Sequence, residues 1–155
     1  MIDTPTILQT TAQATAVIHL TIPREEIRQV MGPGLGELRA ALAAQQVAAT
    51  GPWFTRHFKM SPTTFDFEIG IPVARPVEAS GRVRPGELPA MTVARTVYRG
   101  GFEGLGGAWP ELDGWVAAQG RTPLPSLVET YLTGPSENPD PSTWRTELTR
   151  PLLKT

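Results

Sequence analysis

The sequence predicts an α+β fold in which a strand-helix-strand-strand unit occurs twice, with an antiparallel sheet, two main helices and a groove between the repeats. The first observation is the order of hydrophobic patterns, which runs strand, helix, strand, strand in each half of the chain. The second is an ungapped match between Phe65–Val73 and Trp144–Leu152, in which aromatic, glutamate, aliphatic and proline positions coincide. The third is the content of 16 prolines and 15 glycines, which divides the chain into short elements.

Length and charge limit the classes of protein to consider. A chain of 155 residues is the size of one domain, and we expect a single domain over residues 1–155 with repeats at about 6–75 and 88–153. With 14 basic and 15 acidic residues there is no basic stripe, which argues against nucleic acid or an anionic membrane as a partner. The absence of cysteine excludes disulfides and thiolate metal sites. No signal-peptide pattern or long apolar run is present, so we expect a cytoplasmic protein.

The first half begins with a strand and a helix. Residues 6–20 are rich in threonine, valine and isoleucine and predict one long or bent strand. A helix is predicted over about residues 24–46, because Glu25 and Glu26 suit a first helical turn and an apolar face follows. The Gly-Pro-Gly-Leu-Gly cluster at 32–36 predicts a break, which we interpret as a kink where the helix packs closely on the sheet. A phosphate loop would need a strand directly before it and a lysine directly after it, and this cluster has neither.

A hairpin and a connection complete the first half. Trp53–Met60 and Phe65–Val73 have strand composition and are joined by a Ser-Pro-Thr turn, which predicts an antiparallel hairpin. Residues 74–89 contain three prolines and two glycines among small and charged residues. This composition predicts an exposed connection between the halves.

The second half starts with a strand over Ala90–Arg99 and a helix over Phe102–Gln119, closed by Gly120. The helix follows from the spacing of Leu105, Trp109, Leu112 and Val116. Pro110 lies within it and predicts a kink or a short first turn.

The last stretch, residues 125–152, predicts two strands around a proline-rich turn. Because alternate residues of a strand share a face, Glu129 and Tyr131 point the same way. A carboxylate between apolar and aromatic neighbours faces either solvent or a pocket that favours a negative charge. In the repeat comparison Thr55 lies opposite Glu129 and His57 lies opposite Tyr131, so only one half has the carboxylate.

The second half of the chain contains a set of motifs made of Val93–Leu105, Trp115, Gly120, Pro125, Glu129–Leu132, Pro135, Pro139, Thr146–Leu148 and Pro151. This set resembles the GyrI-like small-molecule-binding domain, which is also the effector-binding domain of AraC-type and MerR-type multidrug regulators. The resemblance covers essentially the whole chain, with only the fold pattern clear in the first half. It implies a duplicated α+β fold related to the SOUL haem-binding domains.

The resemblance also implies a site. The glutamate that matches Glu129 lies at the bottom of the family's pocket, and Phe102 and Trp144 match its aromatic wall. Relatives often have tyrosine at the position of Phe102, so a hydroxyl is missing here. Strand alternation, the repeat comparison and helical spacing complete the candidate set. A tryptophan on a helix, such as Trp109, lies in the core by default, although its edge could reach the groove. The added candidates are Trp53, His57, Phe67, Tyr98, Trp109 and Tyr131.

Three functions remain open. The first is a stand-alone binding protein of the multidrug type, which captures hydrophobic or cationic aromatic compounds between the repeats while Glu129 neutralises the charge. The second is a hydrolase of cyclopropane-bearing electrophilic natural products, as in a subset of relatives, with Glu129 as the catalytic residue that activates water. The third is a protein-interaction module, like relatives that inhibit DNA gyrase. No cofactor or metal is expected, since His19 and His57, the only histidines, lack carboxylates at ligand spacing.

Overall fold

A computed structural model describes residues 2–135 and 137–153, with no description of the side chains of Lys59 and Met60. The chain divides into two compact units. The first unit is Thr11–Ala90, and the second is Met1–Thr10 together with Met91–Thr155. In chain order the described elements are β1 (Thr6–Gln9), β2 (Gln13–Pro23), α1 (Ile27–Gln45), β3 (Phe54–Met60), β4 (Thr64–Pro72), β5 (Arg84–Leu88), β6 (Thr92–Arg99), α2 (Leu105–Ala118), β7 (Leu127–Thr133) and β8 (Arg145–Pro151), with 3-10 turns at Arg24–Glu26, Phe102–Gly104 and Pro141–Thr143.

The first unit is a four-stranded antiparallel sheet in the order β3-β4-β2-β5, with α1 packed against β2 and β4. The hairpin predicted over residues 53–73 is confirmed as β3 and β4. The core of the first unit is formed by inward-facing aliphatic and aromatic residues of the sheet and by Leu38 and Leu42 of α1. The second unit repeats this design with the order β1-β6-β8-β7 and with α2 against β6, and the α+β class is confirmed.

The helix predictions are largely confirmed. A 3-10 turn at Phe102–Gly104 leads into α2, and Gly120 follows its end with a left-handed φ of 72°. The break predicted within α1 is wrong, because the helix continues through Pro33. One missing N–H removes a single helical hydrogen bond. The close packing is confirmed, because a Cβ at Gly34 would lie 2.6 Å from Ile69 Cδ1.

The single strand predicted over residues 6–20 is wrong. It is two strands in different units, because β1 pairs with β6 and β2 pairs with β4 and β5. At the end of β1, the N–H of Thr10 donates to the carbonyl of Met91 at 2.8 Å, which keeps this residue with the second unit. The local composition is that of a strand throughout, so it could not reveal the division.

The exposed connection predicted over residues 74–89 is also wrong in part, since it contains β5 and the buried Val77 and Val83. Pro85 is tolerated because β5 is the last strand of its unit's sheet, where a missing N–H costs no ladder hydrogen bond. Gly86 permits a close approach, since a Cβ there would lie 2.9 Å from Thr15 Oγ1.

The duplication extends to the pairing of single residues. In the first unit Thr55 pairs with Ile69, and in the second unit Glu129 pairs with Leu148. Ile69 and Leu148 occupy the same place in the ungapped match between the last strands of the two repeats. Glu129 and Thr55 therefore occupy equivalent positions on equivalent strands, as the repeat comparison predicts.

A β-bulge recurs at the same place in both units. The register shifts between His57 and Lys59 in the first unit and between Tyr131 and Thr133 in the second. In each unit the shift begins two positions after the equivalent residues Thr55 and Glu129. A bulge re-aims the side chains next to it, so each unit turns its strand just after the position that His57 and Tyr131 share.

Along the chain β1 precedes β2 and β5 precedes β6, yet β1 pairs with β6 and β5 pairs with β2. Arg84 of β5 pairs with Val17, and Thr6 of β1 pairs with Arg95. The separation along the chain from Thr6 to Arg84 equals that from Val17 to Arg95, so the two pairings are equivalent. β1 and β5 are thus equivalent strands that have exchanged sheets. The predicted domain and repeat bounds, 1–155, 6–75 and 88–153, stay a prediction.

Candidate functional site

Glu129 lies in the middle of β7 and accepts two hydrogen bonds from aromatic side chains. Trp109 Nε1 donates to Oε2 at 2.7 Å, and the Tyr131 hydroxyl donates to Oε1 at 2.9 Å. Tyr131 shares a face with Glu129 because it lies two residues along the same strand. Trp109 arrives from α2, where it packs on the core of the second unit.

The electrostatic environment of Glu129 is unusual for a surface carboxylate. Burial raises the pKa of Glu129, and the hydrogen bonds from Trp109 and Tyr131 lower it only in part. The residue nevertheless retains partial accessibility to solvent. Among the side chains that the structure describes, no arginine or histidine forms an ion pair with Glu129. Among the described side chains, its hydrogen-bond donors are therefore the neutral groups of Trp109 and Tyr131.

Aromatic rings continue from Glu129 outward. The ring of Phe102 meets that of Tyr131 edge-on at 5.9 Å and lies 4.9 Å from that of Trp144 at a tilt of 36°. Trp144 is fixed by its Nε1, which donates to the carbonyl of Asn138 at 2.7 Å. Phe102 is 37% exposed, so the series of rings reaches solvent. We call Phe102, Trp109, Glu129, Tyr131 and Trp144 the acid–aromatic cluster.

The other four predicted site residues lie in or against the cores. Tyr98 is buried in the second unit, and its hydroxyl donates to the carbonyl of Gly101 at 2.9 Å. In the first unit Phe67 is fully buried and Trp53 packs partly buried against the core. His57 stacks on Phe67 at 5.1 Å. Ligand contact with Phe67 or Tyr98 would require a core to open, and a binding role for these four residues stays a prediction.

Arg150 was missed by the sequence reasoning. Its guanidinium carbon lies 5.9 Å from the centre of the Trp109 ring. The available signal was the repeat comparison, because the ungapped match aligns Arg150 with Ile71, which is buried. An arginine at an aliphatic core position suggests a specific contact, and here Arg150 lies against Trp109 of the acid–aromatic cluster.

His57 is the buried titratable group of the first unit. It is 5% exposed, its ring contacts those of Phe65 and Phe67, and its Nδ1 has no hydrogen-bond partner among the described atoms. Burial, with a smaller contribution from the charge of Arg24, lowers its pKa to about 4. At neutral pH the imidazole is therefore uncharged.

This lowered pKa predicts acid sensitivity of the fold. His57 favours folding above pH 6.5, its ordinary pKa, and this contribution is lost as the pH falls toward 4, because only the unfolded chain then takes up the proton. The loss amounts to about 3 kcal/mol at full protonation. We expect His57→Phe to lose less unfolding free energy than the parent between pH 7 and pH 4.5 in urea denaturation. His19→Gln, at an exposed histidine, is the control, and parallel losses in parent and His57→Phe would contradict the prediction.

Comparison with known proteins identifies the family. A family model of the GyrI-like small molecule binding domain matches residues 3–153. The chain belongs to the GyrI-like family. The resemblance inferred from the sequence is thereby confirmed. A comparison with curated protein sequences gives no match.

Solved structures share the fold of this GyrI-like domain at low identity. The C-terminal domain of EcmrR is 20% identical, with a TM-score of 0.86 and 98% of each chain covered. The EcmrR chain in an EcmrR–DNA complex is also similar, with 20% identity and a TM-score of 0.85. The match covers 98% of this chain but only 58% of the longer EcmrR chain. SAV2435 bound to tetraphenylphosphonium is 12% identical, with a TM-score of 0.66 over 97% of this chain and 94% of that one. A hydrolase from Listeria innocua is 11% identical, with a TM-score of 0.67 over 96% and 91%.

The GyrI-like domain thus carries a partly accessible carboxylate, without a cationic partner in the described residues, next to several aromatic rings. None of its described helices is long and apolar enough to cross a membrane. The described residues also contain no group of three or more side chains suited to a metal ion.

Proposed function

We propose that this GyrI-like domain binds hydrophobic aromatic cations at the acid–aromatic cluster, with Glu129 as the counter-charge. The observation that carries the proposal is a carboxylate with a raised pKa whose hydrogen-bond donors, among the described side chains, are the neutral groups of Trp109 and Tyr131. Neutral donors orient an ionised carboxylate but leave its net charge in place, and removing such a charge from water is costly. A bound cation would offset that cost.

The rings of the cluster supply the second part of recognition. A cation over the face of an aromatic ring gains about 0.5–2 kcal/mol per contact, depending on how far water is excluded. Phe102 is the most exposed ring, and Trp144 and Tyr131 lie against it. A ligand with several phenyl groups could contact these rings while its charge stays near Glu129.

Tetraphenylphosphonium is the probe that we choose. It has four phenyl rings around one positive charge, and a protein of the same fold, SAV2435, is described as bound to it. Triphenylphosphine oxide is a matched neutral probe with similar rings. Calorimetric titration should give tighter binding of the cation. Lowering the pH through the raised pKa of Glu129 should weaken binding of the cation alone, because the protonated carboxyl no longer supplies a charge. Equal affinities for both probes, independent of pH, would overturn the proposal.

A hydrolase of electrophilic, cyclopropane-bearing compounds is the second candidate. A partly accessible carboxyl with a raised pKa favours it, because such a group can take a proton from water. The water oxygen would bond to one ring carbon, and the strained C–C bond at that carbon would break. The other carbon of the broken bond would then receive the proton that Glu129 had taken from the water. Against it, each oxygen of Glu129 already accepts a hydrogen bond, which weakens a base. Mass spectrometry of a cyclopropane alkylator incubated with the domain decides between the two functions. Turnover would be established if each domain converted many alkylator molecules, each of which gained the mass of one water.

A further inference from the structure

Arg150 links the sheet of the second unit to the helix that carries Trp109. Its Nη2 donates to Asp113 Oδ2 at 3.3 Å, its Nε lies 3.1 Å from Asp113 Oδ1, and its Nη1 donates to the carbonyl of Ser126 at 3.3 Å. Its guanidinium carbon lies 5.9 Å from the centre of the Trp109 ring. Asp113 follows Trp109 by four residues on α2, so both side chains lie on one helix face. One guanidinium therefore contacts both.

The arginine is mostly buried, with a side chain only 14% exposed. Placing a charge there is costly unless it is paired, and Asp113 supplies the pair. The equivalent position in the first unit is Ile71, which is buried as well. The cross-strand neighbour is alanine in both units, Ala16 beside Ile71 and Ala94 beside Arg150. An aliphatic side chain is thus compatible with this position of the fold.

Two departures from the repeat occur together. The second unit has Glu129 where the first has Thr55, and Arg150 where the first has Ile71. Trp109 stands between them, because its N–H donates to Glu129 and its ring lies near Arg150. A role confined to packing α2 on the sheet would not require a charge in the unit that also carries the acid.

We propose that Arg150, held by Asp113, is a positioning residue that fixes the Trp109 indole so that its N–H stays on Glu129. The Arg150 guanidinium also occupies one face of the indole. Trp109 therefore serves as a hydrogen-bond donor, and the ring contacts with a ligand come from Phe102, Tyr131 and Trp144. This inference rests on the proposed function only for its effect on ligands. The effect on the indole exists without a ligand.

The indole N–H signals test the proposal directly. In ¹H–¹⁵N spectra the domain has four tryptophan indole signals, and Trp109→Phe identifies that of Trp109. We expect Arg150→Met to move or broaden this signal, and Arg150→Lys to restore it in part because the charge returns. Arg95→Met is the matched control, because it removes the ion pair of Arg95 with Glu147 in the same unit and leaves Trp109 untouched.

Binding provides the second readout. Compared with Arg95→Met, which removes the same net charge, we expect Arg150→Met to weaken tetraphenylphosphonium binding roughly three- to tenfold relative to triphenylphosphine oxide, through the loosened hydrogen bond to a charged group. The double variant with Trp109→Phe should lose little more than Trp109→Phe alone, because both changes act on one contact.

A Trp109 signal and a cation-to-neutral ratio that both stay unchanged in Arg150→Met would overturn the inference and leave Arg150 a packing residue. If Arg150→Met does not fold, Asp113→Asn is measured in the same two ways, and the same two outcomes apply. If the parent binds neither probe, the proposed function fails while the indole signal still decides the role of Arg150.

Discussion

Glu129→Gln is expected to weaken tetraphenylphosphonium binding about a hundredfold while leaving binding of triphenylphosphine oxide within a few-fold. Two unit charges ~5 Å apart at an effective dielectric constant of ~20 attract each other by roughly 3 kcal/mol, and the amide removes this attraction. Glutamine also has one acceptor oxygen in place of two, so either Trp109 or Tyr131 loses its acceptor. The ring contacts that hold the neutral probe remain.

The measurement is calorimetric titration of both probes against the parent, Glu129→Gln and Glu111→Gln. Glu111 is exposed on α2, so its variant removes the same net charge without touching the cluster. A comparable loss in Glu111→Gln would show that the long-range field of the protein, and not a specific counter-charge, attracts the cation. A proportional loss for both probes would assign Glu129 to the shape of the site.

Gly70→Ala is expected to destabilise the fold by about 2–3 kcal/mol through overpacking. Gly70 pairs with Phe54 across β4 and β3, and a Cβ on Gly70 would clash with Phe54 Cζ and lie 2.9 Å from both Cε atoms. Phe54 is only 2% exposed, so its ring is enclosed and has no solvent to move into. The ring covers the glycine, and any side chain there must displace it.

Urea denaturation of Gly70→Ala and Gly36→Ala checks this expectation. A Cβ at Gly36 would meet nothing within 4 Å, and alanine there should stabilise α1 by about 0.5–1 kcal/mol. Phe54→Leu combined with Gly70→Ala should lose less than the sum of the single changes, because the smaller side chain makes room. A Gly70→Ala variant as stable as the parent, to within about 0.5 kcal/mol as for an ordinary surface substitution, would contradict the rigid packing of Phe54.

Local patterns predicted the elements whose partners are close in sequence. The 3.6-residue spacing of α2, the strand composition of β3 and β4 and the alternation within β7 each predict an element on their own. The Arg-Pro-Gly-Glu-Leu segment of β5 has no such alternation. It is a strand because the open edge of β2 accepts its backbone, and that edge is visible only in three dimensions.

The same distinction applies to the acid–aromatic cluster. Strand alternation predicted that Glu129 and Tyr131 share a face, and the hydrogen bond between them agrees with it. The contact with Trp109 depends on how α2 lies over β7, which no spacing specifies. Arg150 was not predicted because a charged residue in a strand normally faces water. The repeat comparison aligns it with an aliphatic position but does not identify its partners Asp113 and Trp109.

The exchange of first strands has a consequence for synthesis of the chain. The native partner of β1 is β6, which follows only after the whole first unit, so β1 emerges from the ribosome long before any of its ladder exists. Meanwhile β2 follows β1 almost at once, and the edge of β2 accepts a strand equivalent to β1, namely β5. Native assembly therefore requires that β1 release, or never occupy, the place that β5 takes later.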